Sequence, residues 1–161
     1  MLLRIPALVV CALIALACPL AAASWSPTGS TASGDGGDRA VTLSDGHVLV
    51  VHPGGVAERY APATGTWTPA GRTVRARSGF SLTALPGGEA LVAGGFDSDA
   101  DARVASYEVY SAATNSWSIR GPLLTARSGH IAEPLSGGRV LIAGGLTDIG
   151  PDDEIFRAFL A

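Results

Sequence analysis

Four acidic residues are the first candidates for chemistry. In the stretch DSDAD (97–101), Asp97, Asp99 and Asp101 alternate, and Glu108 follows eleven residues after Asp97. These are positions 1, 3, 5 and 12 of a calcium loop, where hard oxygen ligands surround the ion. The glycine that such a loop needs at position 6 is here Ala102, and Glu108 falls in an expected strand, which limits how far it folds back. Solvated loop acids are therefore the preferred reading, and no metal is expected. DIGPDDE (148–154) adds acidity to an equivalent loop without the spacing.

Other constellations are sparse. His47 and His52 stand five apart around an apolar strand, so they should point to opposite faces and share no metal. There is no G-x-S-x-G elbow and no H-E-x-x-H pair, and the absence of lysine removes a phosphate-binding G-x-x-x-x-G-K loop. GDGGDR (34–39) breaks the dinucleotide pattern at Arg39 and reads as a linker. No cofactor is expected.

The bulk properties narrow the class. Residues 1–23 carry Arg4, a short apolar run and a closing Ala21-Ala22-Ala23, the features of a cleaved secretory signal peptide. The apolar run is shorter than the about 20 residues of a spanning helix. A lipoprotein acylated at Cys18 is the minor alternative. Both cysteines, Cys11 and Cys18, lie in this leader, so the exported chain from Ser24 onward is expected to hold no disulfide. The net charge of −3 and the scattered arginines, of which only Arg72, Arg75 and Arg77 lie close together, argue against nucleic acid.

What must position the loop acids is a repeat. YAPATGTWTPAG (60–71) aligns with YSAATNSWSIRG (110–121) at an offset of fifty. The same offset superimposes RSGF (77–80) on RSGH (127–130), and Gly94-Gly95 on Gly144-Gly145. An earlier copy lies 42 residues upstream, with Trp25 on Trp67, Gly29 on Gly71 and LSDGHVLV (43–50) on LPGGEALV (85–92). Each unit reads as four short strands, the first hairpin closing at SDGH, PGGE or SGGR. The second strand, ALVA or VLIA, is apolar at consecutive positions, which suits burial on both faces between stacked sheets. Such sheets need stacked copies to bury their faces.

At these residues the chain resembles the kelch family: apolar residues before Gly-Gly, then tyrosine and tryptophan with six residues between them, as in Tyr60/Trp67 and Tyr110/Trp117. The resemblance implies an all-β fold of kelch-type propeller blades, each a four-stranded antiparallel sheet. It places blades at 39–71 and 80–121, a partial blade at 130–161 and a lone fourth strand at 25–29. The aromatics should fill the gaps between blades. Gly94 and Gly144 should mark close backbone approaches, costlier to replace than Arg77 or Arg127. The first copy departs from the pattern, with HPGG in place of apolar-Gly-Gly and DGGD (35–38) in place of RSGF; in the last copy Phe159 falls near the tyrosine position. Some kelch-like propellers are copper oxidases, whose cross-linked cysteine this exported chain lacks.

The resemblance also implies a loop face on which a rigid scaffold presents ligand-binding residues. On it the sequence places Asp97, Asp99, Asp101, Arg77, Arg127 and His130, although Arg77 and Arg127 could equally pair with nearby acids or carbonyls. For His130, a hydrogen bond between blades outweighs a catalytic role. The expected function is an exported binding module for a protein or glycan ligand. The alternative is part of a kelch-type carbohydrate enzyme whose catalytic residues are not encoded here. About three blade equivalents make an incomplete ring, since propellers have about 4–8 blades. Either further blades complete it or two copies exchange terminal strands.

Overall fold

A computed structural model of the chain describes residues 26–31, 38–148 and 157–160. The expected leader, Cys18, Trp25 and most of the acidic stretch 148–154 lie outside them.

The fold is all-β and antiparallel. β1 (Arg39–Thr42), β2 (Val48–Val51), β3 (Val56–Ala61) and β4 (Thr66–Arg72) form a four-stranded meander. The second sheet contains β5 (Ser81–Leu85) and β6 (Glu89–Ala93). A small hairpin follows, β7 (Phe96–Asp97) with β8 (Ala102–Arg103), before β9 (Ser106–Ser111) and β10 (Ser116–Pro122) complete that sheet. Next come β11 (Arg127–Ser128), β12 (Ile131–Pro134), β13 (Arg139–Ala143), β14 (Leu146–Thr147) and β15 (Arg157–Leu160). Of these, β12, β13 and β15 form a three-stranded sheet, and β11 pairs with β14.

The registers superimpose as the repeat requires. Val48 faces Tyr60, Ala90 faces Tyr110 and Val140 faces Phe159, so one side-chain pattern serves all three sheets. Strand alternation then decides which neighbour each residue meets. In β6, Ala90 and Val92 turn toward the first sheet and join Leu49, Val51, Ala57, Ala70 and Tyr110 in one core. Leu91 and Ala93 turn the other way and join Val109, Leu123, Val140 and Ile142 in a second. The run of consecutive apolar residues is thus explained: the middle sheet is covered on both faces. Each large side chain closed off this way contributes roughly 1.5–3 kcal/mol.

Tyrosine and tryptophan stack across their hairpins, with ring centroids 5.0 Å apart in Tyr60/Trp67 and 5.2 Å apart in Tyr110/Trp117. The polar tips reach further. The Trp117 indole N–H donates to the Ala70 carbonyl at 2.9 Å, tying the second sheet to the last strand of the first. The Tyr110 hydroxyl donates to Asn115 Oδ1 at 2.8 Å and so braces the turn between β9 and β10.

Candidate functional site

The crossover from β4 to β5 is held by a buried charge pair. The Arg77 guanidinium donates to Glu108 Oε1 through Nη2, and both side chains are 0 % exposed. Arg77 Nη1 also donates to the carbonyls of Gly94 at 3.0 Å and Ser106 at 2.8 Å. Glu108 in turn accepts the backbone N–H groups of Val74 at 2.6 Å and Arg75 at 3.1 Å. Burial lowers the Arg77 pKa, opposed by the Glu108 carboxylate beside it. These bonds decide between the two readings of Arg77: it pairs with a nearby acid and with carbonyls and does not offer its guanidinium to a ligand arriving from solvent. Glu108 is held on the same clamp.

The first sheet solves the same problem with other residues. Glu58 occupies the register position of Glu108, and His52 that of Gly94. His52 is fully buried. Its Nε2 lies 3.0 Å from Glu58 and its Nδ1 2.8 Å from Asp38. Burial opposes charging of the ring, but the hydrogen bonds to Asp38 and Glu58 outweigh it and raise its pKa. His47 keeps separate company, 3.3 Å from Asp45.

The third sheet carries the other two candidates, and both are buried. Arg127 Nη1 donates to the Gly144 carbonyl at 2.6 Å, repeating the bond of Arg77 to Gly94. The residue in register with Glu108 is here Arg157, opposite Ile142. His130 Nε2 lies 2.9 Å from the Ser81 hydroxyl of β5, a hydrogen bond between neighbouring sheets. Burial, and then the charge of Arg127, hold the His130 pKa down to about 4. Its Nδ1 has no hydrogen-bond partner among the described residues. His130 thus bonds the third sheet to the second, while Arg127, like Arg77, is engaged by a carbonyl of its own repeat unit.

The aspartates remain at the surface. Asp97 Oδ1 accepts the N–H groups of Asp99 at 3.0 Å and Ala100 at 3.2 Å, so it shapes its own turn. Asp99 and Asp101 are exposed. Among the described residues, no group of three or more acids or histidines is placed to hold a metal ion.

A cleft of about 210 Å³ opens beside this turn, lined by Arg75, Asp97 and Arg103 over a floor that includes Ala100, Ala102 and Val104. Arg75 is exposed, and its side chain has no hydrogen-bond or ion-pair partner among the described residues. Arg103 forms an ion pair with Asp148, joining the loops of the second and third sheets. Its Nε is buried with no partner among the described residues.

Sequence reasoning noticed Arg75 only as one of three neighbouring arginines, and it passed over Arg103. A signal for the clamp was available: Glu58 and Glu108 share one repeat position, two residues before each tyrosine, inside an apolar strand. An acid there faces a core and demands a cation or amide donors. Compared with protein-family models and with curated proteins, the chain matches none.

Proposed function

We propose that the chain is an exported, kelch-type module whose sheets act as propeller blades and present a binding surface for a protein or glycan at the loops of the middle sheet. The observation that carries this reading is the cleft between Arg75, Asp97 and Arg103. Arg77, Arg127, His52 and His130 are buried and hydrogen-bonded inside the fold, whereas Arg75 is exposed and, among the described residues, unpaired beside an acceptor carboxylate and an alanine floor. A few converging polar groups over apolar lining are what recognition of a small feature requires. Guanidinium and carboxylate suit a ligand bearing both carboxylate and hydroxyl groups, and the alanines suit its apolar face.

Binding to an array of neutral and acidic glycans, followed by titration of the best ligand, tests the reading. Arg75→Ala should weaken binding at least about tenfold, the loss of one charge-assisted hydrogen bond. Arg39→Ala, outside the cleft, should leave it unchanged. Retention of full affinity in Arg75→Ala and Arg103→Ala together would place the site elsewhere.

A further inference from the structure

We infer that Asp38, His52 and Glu58 form a pH-operated latch, in which the imidazolium ties the entry of β1 to β3 and loss of its proton frees Asp38 with the adjoining end of β1. The ring is fully buried, and each of its nitrogens meets a carboxylate, Nδ1 that of Asp38 at 2.8 Å and Nε2 that of Glu58 at 3.0 Å. An ionised carboxylate only accepts hydrogen bonds, and a neutral imidazole has one N–H to give. Both contacts are therefore satisfied together only while the cluster holds one further proton, as an imidazolium that donates twice.

The equivalent clamp of the second sheet has no such dependence. Its cation is Arg77, a guanidinium that stays charged, closed on the single carboxylate of Glu108. In the first sheet the cation is the side-chain type that titrates near neutrality, and it stands between two acids. Among the described residues, the neighbouring elements bring no other charge to the ring. Arg39 of β1 donates to the Asp38 carbonyl, Arg59 of β3 to Asp45, Arg72 of β4 to the Gly54 carbonyl and Arg77 of the crossover to Glu108, while Arg75 lines the cleft. Burial disfavours the charged ring, yet the hydrogen bonds to Asp38 and Glu58 hold its pKa above the ordinary value. The latch is thus closed in mild acid and opens as pH rises through that folded value.

The two arms are unequal. The Glu58 side chain is 10 % exposed, and β3 is paired on both sides, with β2 and with β4. The Asp38 side chain is 36 % exposed, and β1, which follows it, stands at the edge of its sheet. A neutral ring keeps its single N–H for the carboxylate that cannot reach water, and Asp38 turns out to solvent. β1 then loses the tie at its N-terminal end and frays from β2.

Hydrogen–deuterium exchange of the full chain from about pH 5.5 to about pH 8.5, corrected for the intrinsic pH dependence of exchange, tests this alongside NMR titration of the His52 ring. Protection of β1 should fall about tenfold or more as the ring loses its proton, the loss of one charge-assisted hydrogen bond. At the alkaline end, exchange of β1 should depend little on added urea, the mark of local opening, while that of β6 keeps the steep dependence of global unfolding. In Asp38→Asn, β1 protection should be nearly independent of pH, because a carboxamide accepts from the charged ring through its oxygen and donates to the neutral one through its nitrogen. A contact that served structure alone would leave no such difference between the two chains. A ring already neutral at about pH 5.5, or β1 protection indifferent to the titration of His52, overturns the inference. So does β1 exchange as steep in urea as that of β6, or a full pH dependence retained in Asp38→Asn.

Discussion

Arg77 and Glu108 meet with both side chains at 0 % exposure, so the link between the crossover and β9 is an ion pair sealed from water. Glu108 receives two backbone N–H groups of that crossover as well, so one carboxylate organises the whole connection. Removing one partner would leave the other charged and buried. Arg77→Met should therefore destabilise the fold by about 3–5 kcal/mol in urea unfolding. Adding Glu108→Gln to it should cost less than the sum of the two single changes, because no uncompensated charge then remains. Additive losses would show that the two residues act independently.

The buried arginines thus belong with the glycines as stability residues, and the two glycines are not equivalent. Both Gly94 and Gly144 have left-handed backbones, with φ of 59° and 66°. A Cβ on Gly94 would lie 2.5 Å from the Arg127 carbonyl oxygen, whereas one on Gly144 meets nothing within 4 Å. Gly144→Ala should cost about 1–2 kcal/mol, the backbone penalty alone. Gly94→Ala should cost clearly more, since the β11 backbone must move. Matching denaturation midpoints would contradict this assignment.

The two buried histidines should pull stability in opposite directions with pH. His52 has a raised pKa in the fold, so its contribution is fully present below the unfolded value of about 6.5 and is lost as pH rises through the folded value. His130 is held down to about 4, so its contribution is complete above about pH 6.5 and is lost as pH falls toward 4. That acid-side loss amounts to about 3 kcal/mol. Melting curves from about pH 4 to about pH 8 should show His130→Gln flattening the acid limb and His52→Gln the alkaline one. An acid limb unchanged in His130→Gln would mean that the ring is not buried neutral.

The tryptophans offer a test of the contact between sheets. Trp117→Phe removes an indole N–H bonded to Ala70, while Trp67→Phe removes a donor with no partner among the described residues. Guanidinium unfolding should find Trp117→Phe more destabilising by about 1 kcal/mol. The reverse order would argue that the Ala70 bond does not form.

Calcium should bind weakly or not at all. Asp97 is engaged in its own turn and Glu108 in the clamp, so the alternating aspartates lack the bidentate ligand that closes a cation loop. Calorimetric titration should detect nothing tighter than about millimolar affinity. Sub-micromolar binding lost in Asp97→Ala would reverse this assignment.

The alternation of apolar residues and the offsets of 42 and 50 determined the antiparallel sheets, their turns and the double-faced burial of β6. Strand geometry has a period of two, and a repeated pattern forces repeated registers, so local sequence was sufficient for these features. Even Phe159 takes the tyrosine register as its position suggests. The partners of the charged residues were a different matter. Arg77 and Glu108 are 31 residues apart, and His130 and Ser81 are 49 apart. No periodicity relates such pairs: His130 meets Ser81 because one sheet packs on the next, and Arg77 meets Glu108 because the crossover folds back over β9. The same packing buries Arg77, Arg127 and His130 and leaves Arg75 and Arg103 at a cleft. Residue type alone could not distinguish a buried arginine from an exposed one, because that difference is created by the neighbouring sheet.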